Sequence, residues 1–289
     1  MNGSLPPEDW PLRAASRSVM SAPHRWHVQV AGEGPDILLL HGAGASAHSW
    51  HKLIARLEDR FRLIAPDLPG HGFTQSPRGR NALPQVARDL AALMRTLDAA
   101  PRFVVCHSAG GAIALEMARQ GFGPPERIVV VNGALEEFRG PAGVLFPAIA
   151  RVLSLNPFTG LFLSRGSSEA QVRRIIGATG TNLDADALGL YARLIARRSH
   201  VEGTLAMMAQ WSLRDLGAAL PSIGTPTLFV HGARDQAVRI AVAERAAAAM
   251  PAARLHRLEG VGHIAQEEAP DAVAAEIAAF LADASASAG

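Results

Sequence analysis

The segment Cys106-His-Ser-Ala-Gly-Gly111 is the strongest local signal in the sequence. It follows a short apolar run at residues 103–106, which is typical of a strand buried on both faces, and it precedes a helical pattern over residues 109–120. A serine in so sharp a strand-to-helix turn needs small neighbours, because larger side chains would collide there. The following helix would direct its first N–H groups towards an oxyanion near Ser108. We interpret Ser108 as a candidate nucleophile; the alternative is an ordinary turn in which the serine caps the helix.

Similar apolar runs recur along the chain and alternate with helical segments. Buried strands that alternate with helices predict a mostly parallel sheet covered on both faces, and therefore the α/β class. The expected strands lie at residues 25–30, 37–40, 61–65, 103–106, 128–131, 227–230 and 255–258, and the expected helices lie near 47–59, 82–98, 109–120, 240–250 and 272–283.

The alternation stops after Asn132 and resumes at Pro226. Between these two residues the pattern predicts only helices, near residues 142–154, 169–177, 185–199 and 202–213. We therefore expect three parts in the chain. They are an irregular leader at residues 1–24, an α/β core made of residues 25–133 and 217–289, and an all-helical insertion at residues 134–216.

The composition excludes several classes of protein. The chain carries 28 basic and 26 acidic residues, and it has no run of basic residues interleaved with aromatic ones, so no nucleic-acid partner is expected. Its single cysteine, Cys106, excludes an internal disulfide and a cysteine-based metal cluster. Because no histidines or carboxylates stand at ligand spacing either, we expect no metal and no cofactor.

The sequence also lacks the signals of secretion and of membrane insertion. The residues Pro6-Pro-Glu-Asp9 interrupt the place where the apolar part of a signal peptide would lie, and no apolar stretch reaches the 18 residues of a membrane span. Residues 144–163 are apolar, but Pro147, Pro157 and Gly160 interrupt any amphipathic helix there. We therefore expect a cytoplasmic protein with at most peripheral membrane contact.

A serine nucleophile needs a general base, and that base needs an acid to orient it. His263 lies in the glycine-flanked loop Gly260-Val-Gly-His263, after the last expected strand, and Asp235 follows the strand expected at residues 227–230. Both positions are just beyond the carboxyl ends of strands, where open α/β sheets place their sites. We assign His263 as the base and Asp235 as the acid, with Glu136 or Glu137 as alternative acids.

The loop His41-Gly-Ala-Gly44, directly after an expected buried strand, provides a backbone that can approach a substrate oxygen. The N–H groups of Ala43 and Ala109 would then form an oxyanion hole around the carbonyl that Ser108 attacks. An ordinary turn is the alternative interpretation of the loop. A second loop, Asp67-Leu-Pro-Gly-His-Gly-Phe-Thr74, is rich in turn residues, and its polar side chains are expected to brace it.

Taken together, these motifs resemble those of the α/β-hydrolase family over about residues 25–285. The residues that carry the resemblance are HGAG at 41–44, DLPGHG at 67–72, HSAGG at 107–111, HGARD at 231–235 and GVGH at 260–263. The resemblance implies an eight-stranded sheet and a helical cap, inserted after strand 6, over a pocket at the strand ends. Cys106 stands where the family commonly has glycine, and Thr74 where serine is common; neither change removes a candidate catalytic group.

Within this family, the chain resembles the magnesium chelatase accessory proteins of bacteriochlorophyll biosynthesis. The motifs that carry this resemblance lie in the leader, DWP at 9–11, in the core, RWHVQ at 25–29 and AGASAHSW at 43–50, and in the insertion, SLNP at 154–157 and AMMA at 206–209. The resemblance implies a role beside the insertion of Mg²⁺ into protoporphyrin IX. It also implies a small apolar or porphyrin-like ligand and, as partners, the chelatase subunits.

Two classes of function therefore remain for this chain. The first is a serine hydrolase acting on an ester-like or carbonyl substrate, for example a general carboxylesterase or a C–C bond hydrolase of small molecules. The second is a non-catalytic porphyrin-binding accessory protein. Relatives that use an aspartate nucleophile are excluded by Ser108, and epoxide hydrolases, which use two cap tyrosines, are excluded by the single tyrosine. In either class we expect His41, Phe146, Met207 and Trp211 to line the pocket.

Overall fold

Eight strands form one sheet in the computed structural model, which describes residues 5–123, 125–137 and 169–286. The strands are β1 (Ser16–Ser21), β2 (His24–Ala31), β3 (Asp36–Leu40), β4 (Arg62–Pro66), β5 (Phe103–His107), β6 (Arg127–Val131), β7 (Thr227–Gly232) and β8 (Ala253–Leu258). Their order is β1-β2-β4-β3-β5-β6-β7-β8. β2 runs antiparallel to β1 and β4, and the remaining neighbours are parallel. The mostly parallel eight-stranded sheet is therefore confirmed.

Helices cover both faces of this sheet. Those of the described residues are α1 (His51–Leu57), α2 (Leu83–Thr96), α3 (Ala109–Arg119), α4 (Glu169–Gly177), α5 (Ala185–Ile195), α6 (Arg198–Gln210), α7 (Arg214–Ala219), α8 (Ile240–Ala249), α9 (Ala265–Glu268) and α10 (Pro270–Ala286). No helix among the described residues is at once long enough and apolar enough to cross a lipid bilayer.

Alternate residues of the central strands enter two separate hydrophobic cores. In β5, Val104 and Cys106 pack into the core beneath α2 and α3, whereas Phe103 and Val105 pack into the core beneath α1 and α10. This follows from the two-residue period of a strand, which points successive side chains to opposite faces. Because both faces are covered, the central strands are apolar throughout, and this is why they were recognisable in the sequence.

We expected an irregular leader at residues 1–24, but part of it forms a strand. Residues Ser16–Ser21 form β1, which pairs with β2 so that Ser16 lies opposite Gln29 and Ser21 opposite His24. This edge strand contains three serines and an arginine, so it has no continuous apolar run by which it could be predicted from the sequence. Pairing with β2 across the short turn at Ala22-Pro23 determines the conformation instead.

Residues before β1 attach the leader to two other parts of the molecule. The Trp10 indole is 3% exposed and packs edge-on against Phe73 at 5.2 Å between ring centroids. The guanidinium of Arg193, on α5, lies over the same indole and donates two hydrogen bonds, of 2.8 and 3.0 Å, to Asp9. The leader therefore contacts both a loop of the sheet region and a helix that follows β6.

The described residues between β6 and β7 form four α-helices, of which the sequence predicts α4, α5 and α6 but not α7. α5 ends earlier than expected and α6 begins earlier, because Arg197 between them takes an extended conformation with φ −89° and ψ 109°. The helix expected at residues 142–154 lies outside the described residues. The division of the chain into core and cap stays a prediction.

A buried carboxyl group joins these helices to the sheet region. Glu267, on α9, is 2% exposed, and its Oε1 accepts a hydrogen bond of 2.7 Å from the Tyr191 hydroxyl of α5. Burial disfavours the charged form and raises the pKa of Glu267 to about 7. The folded protein therefore keeps a proton on Glu267 at pH values where the unfolded chain has lost it.

Replacing this carboxyl group should change how stability depends on pH. Between the ordinary pKa of 4.5 and about 7, the folded state binds more protons at Glu267, so its contribution to stability falls as pH rises. In Glu267→Gln this loss is absent. Measured by urea denaturation, the free energy of unfolding of the variant relative to the wild type should rise by about 2 to 3 kcal/mol from pH 5 to pH 8. The exposed control Glu244→Gln should show no such trend; equal trends in both variants would contradict the prediction.

Candidate active site

Ser108 occupies a strained turn between β5 and α3. Its φ is 50° and its ψ is −116°, a region that residues with a side chain rarely adopt. Gly110 makes the turn possible, since a Cβ atom there would lie 2.2 Å from the carbonyl oxygen of Leu40. The Ser108 N–H donates to the Val131 carbonyl at 3.0 Å, which fixes the turn to the end of β6. The expected strand-turn-helix context of Ser108 is therefore present.

Cys106 replaces the common glycine without disturbing this turn. Its side chain is fully buried in the core beneath α2 and α3, and its Sγ–H donates to the Val129 carbonyl at 3.2 Å. Burial raises the pKa of the Cys106 thiol, so the group remains protonated. Cys106 is therefore a packing residue and not an alternative nucleophile.

His263 connects Ser108 to Asp235. The His263 Nε2 lies 3.1 Å from the Ser108 Oγ, and its Nδ1 lies 2.7 Å from the Asp235 Oδ2. Asp235 follows β7, and His263 follows β8, so the three side chains meet at the carboxyl ends of three parallel strands. The three residues singled out in the sequence are thus joined by two hydrogen bonds, in the arrangement that proton transfer from a serine requires.

Asp235 is held as a carboxylate by its hydrogen-bond donors. Burial opposes the charged form, but hydrogen bonds from His263, Val238 and Asn132 together hold the pKa of Asp235 below its ordinary value. The Asp235 Oδ1 accepts from the backbone N–H groups of Ala237 and Val238, each at 2.8 Å. A buried carboxylate whose lone pairs are satisfied can orient the His263 ring and stabilise a positive charge on it.

Sequence reasoning missed two residues that hold this arrangement in place. Asn132, at φ 48° directly after β6, donates from Nδ2 to the Asp235 Oδ2 at 2.6 Å. His107 donates from Nε2 to the His263 carbonyl at 2.9 Å, and burial lowers its pKa to about 3, so it remains neutral. The Asn-Gly dipeptide after a buried strand was the only available signal for Asn132, and nothing in the pattern distinguished His107 from other buried histidines.

The alternative acids, Glu136 and Glu137, do not reach His263. Glu136 accepts two hydrogen bonds from Arg245, at 2.6 and 2.8 Å. Glu137 accepts from the Ser212 hydroxyl at 3.0 Å. Both instead stand on the wall of a cavity, and Asp235 is the acid that contacts the imidazole.

The loop after β3 and the first residue of α3 both contribute to the surroundings of Ser108. A Cβ atom on Gly42 would come within 2.9 Å of the His107 ring and 3.0 Å of the Ser108 Cβ, so the loop after β3 packs directly on the turn. Ala43 and Ala109 both line the cavity that contains Ser108. Within the described residues neither N–H group donates a hydrogen bond, which leaves both available to an oxygen atom.

The cavity above Ser108 and His263 has a volume of about 740 Å³. Of the residues expected in its wall, Met207 and Trp211 are present, whereas Phe146 lies outside the described residues. His41 was predicted wrongly. Its fully buried ring donates from Nδ1 to the Gly42 carbonyl at 2.7 Å and accepts at Nε2 from the Leu68 N–H at 2.9 Å, so it braces the loop.

The second glycine-rich loop is braced in the same way. The Asp67 carboxylate is fully buried and accepts hydrogen bonds from the N–H groups of Ala47 and Phe73, at 2.7 and 2.8 Å, and from His27 at 2.7 Å. Burial opposes its ionisation, but these donors and His27 in particular hold the pKa of Asp67 far below its ordinary value. No cluster of three or more histidine, cysteine or carboxylate side chains within the described residues is arranged to hold a metal ion.

Comparison with known proteins places this site in context. The sequence profile of the alpha/beta hydrolase family matches residues 37–276. The chain is 43% identical over 279 residues to the magnesium-chelatase 30 kDa subunit of Rhodobacter capsulatus, covering 95% of this chain and 97% of that protein. It is 31% identical over 271 residues to a pimeloyl-[acyl-carrier protein] methyl ester esterase of Stenotrophomonas maltophilia, covering 89% and 96%.

Solved structures agree on the fold. The enol-lactonase of Burkholderia xenovorans superposes with a TM-score of 0.76 at 23% sequence identity, and the match covers 92% of this chain and 100% of the lactonase chain. The resemblance to the magnesium chelatase branch is confirmed by the Rhodobacter capsulatus relative. On the profile match and the sequence identities, this chain belongs to the alpha/beta hydrolase family.

Proposed function

We propose that the protein is a serine hydrolase in which Ser108 is the nucleophile, His263 the general base and Asp235 the residue that orients the base. The observation that supports this most strongly is the continuous hydrogen-bonded path from the Asp235 carboxylate through His263 to the Ser108 hydroxyl, at 2.7 and 3.1 Å. The strained turn supports it further, because a serine used only for packing does not need φ 50°.

The reaction would proceed in two halves. His263 takes the hydroxyl proton of Ser108 while Oγ attacks the carbonyl carbon, and the N–H groups of Ala43 and Ala109 bind the oxyanion, each contributing about 3 kcal/mol to transition-state stabilisation. His263 then gives the proton to the leaving alcohol, which departs from an acyl-Ser108 intermediate. Water, deprotonated by His263, attacks this acyl group, and the carboxylic acid leaves as the proton returns to Ser108.

Substrate choice in this proposal lies with residues 134–216, which we infer to be a helical cap over an α/β core of residues 25–133 and 217–289. Met207 and Met208 of α6 and the adjoining Trp211 contribute to the cavity wall beside Ser108. These side chains are large and adaptable, and they favour a substrate with an apolar body. A carboxylester or a C–C bond next to a carbonyl group would fit the same chemistry.

We further propose that the protein acts in bacteriochlorophyll biosynthesis, as an accessory of magnesium chelatase. The support is the 43% identity, over nearly the full length of both chains, with a protein named as the magnesium-chelatase 30 kDa subunit. Chelatase subunits and a porphyrin-like ligand would then be its partners. A second candidate function is favoured by the same relative and by the apolar cavity of about 740 Å³, namely a non-catalytic protein that holds a porphyrin.

Labelling with a fluorophosphonate probe should test the nucleophile. The Ser108 oxygen would displace fluoride from phosphorus, so the wild type should become labelled and Ser108→Ala should not. Ser212→Ala, which removes an exposed serine near the cavity, should label like the wild type. If Ser108→Ala, shown to be folded by circular dichroism, is labelled as fast as the wild type, the hydrolase proposal is wrong.

The role of Asp235 can be tested by two variants in which a carboxylate is replaced by the corresponding carboxamide. Asp235→Asn keeps the shape of the side chain but no longer favours the productive tautomer of His263, so hydrolysis of a p-nitrophenyl ester should slow by about 10³ to 10⁴ in kcat. Glu137→Gln, on the cavity wall, should leave kcat nearly unchanged. Similar losses in both variants would instead assign a shared electrostatic role to the two carboxylates.

Complementation separates the two candidate functions. In a strain that lacks the gene, Ser108→Ala should fail to restore pigment if the protein acts as a hydrolase, and it should restore pigment if it only holds a porphyrin. The second candidate also requires protoporphyrin IX to quench tryptophan fluorescence, with most of the quenching lost in Trp211→Phe because this indole lines the cavity. Absence of quenching in the wild type would exclude the porphyrin-holding candidate.

A further inference from the structure

One wall of the cavity is a single face of α8 together with the two residues before it. Val242 and Arg245, three residues apart on α8, lie on this wall, together with Val238 and Arg239 of the extended segment that precedes the helix. The N–H of Val238 donates to the Asp235 Oδ1 at 2.8 Å, so the wall starts at the site and extends from it. A substrate bound at Ser108 would therefore lie along this face.

The charged groups on the cavity wall are not equivalent. Arg245 donates two hydrogen bonds to Glu136, so their opposite charges largely cancel. Glu137 accepts hydrogen bonds from the Ser212 hydroxyl and from the Leu213 N–H, at 3.0 and 3.3 Å. By contrast, the side chain of Arg239 has no hydrogen-bond or ion-pair partner among the described residues; its backbone carbonyl accepts a hydrogen bond from the Val242 N–H at 2.9 Å. Its guanidinium can therefore bind an anionic group without breaking any pair formed between the described residues.

The surroundings of Arg239 favour a particular kind of anion. Arg239 is an exposed residue at the cavity wall, and Met207, Met208 and Trp211 line the same cavity, so the apolar body of a bound substrate would shield the guanidinium from part of the surrounding water and strengthen a charge-assisted hydrogen bond. A guanidinium offers a planar fork of N–H donors that matches the two oxygens of a carboxylate. We propose that Arg239 binds a carboxylate of the substrate, so that the preferred substrates are amphipathic esters with an apolar body and a separate carboxylate. This inference rests on the proposed hydrolase function for the position of the ester at Ser108.

Matched ester pairs test the preference directly. The mono-p-nitrophenyl esters of adipate and suberate carry a terminal carboxylate, whereas p-nitrophenyl hexanoate and octanoate have the same chain lengths without it. We expect Arg239→Gln to lower kcat/KM by about tenfold or more for the two anionic esters, mainly through KM, and by less than about twofold for the neutral ones. Arg239→Lys should keep part of the preference, because it retains the charge but not the fork.

The control is Arg95→Gln, which removes an exposed arginine from α2, a helix that supplies none of the described cavity-lining residues. It should change both kinds of ester equally and little. If Arg239→Gln likewise affects anionic and neutral esters to the same extent, Arg239 does not bind the carboxylate and the proposal is overturned, although hydrolysis itself would stand.

A binding measurement keeps this inference separate from catalysis. Calorimetric titration of the Ser108→Ala protein with monomethyl adipate should give a dissociation constant that rises about tenfold or more on adding Arg239→Gln. If no p-nitrophenyl ester is hydrolysed but this difference is measured, the hydrolase function fails and the carboxylate site stands. If monomethyl adipate binds equally to both proteins, or to neither, the carboxylate site is overturned.

Discussion

The strained turn at Ser108 is the constraint on which the rest of the site depends. Two contacts support the φ of 50° at Ser108. Gly110 has no side chain, so the start of α3 can pack directly against the carbonyl of Leu40 at the end of β3, and the Ser108 N–H donates a hydrogen bond to Val131 at the end of β6. The buried parallel strands provide the rigidity for this. Three of them, β5, β7 and β8, end at the same edge and deliver Ser108, Asp235 and His263 from positions far apart in the sequence.

Around this turn, buried polar groups are held by short hydrogen bonds, most of which join residues that are distant in the sequence. His41, His107 and Asp67 each use their hydrogen bonds to fix a loop, and burial lowers the pKa of both histidines, which keeps them neutral. Neutral rings that brace backbone add no charge near His263. The arrangement therefore separates residues that hold loops in place from the one histidine that contacts Ser108.

The sequence predicted the strands of the sheet well and the supporting contacts poorly. Strands covered on both faces appear as continuous apolar runs, whereas β1 is a polar edge strand whose conformation comes from pairing with β2. Ser108, Asp235 and His263 could be singled out as candidates because glycine-rich turns after strands are local signals. Asn132 was missed because its contact with Asp235 spans 103 positions in the chain. His41 was wrongly predicted to line the cavity, because its burial depends on how the Gly42 loop packs and not on a local sequence pattern.

The burial of Cys106 has a practical consequence for studying the helices between β6 and β7. The chain has one cysteine, and its thiol is fully buried, protonated and bonded to a backbone carbonyl. Such a thiol reacts slowly with maleimides or nitroxide reagents while the protein is folded. A single cysteine introduced on the exposed side of α4 or α6 could therefore carry a spectroscopic probe selectively, without first removing the native residue from beneath the turn.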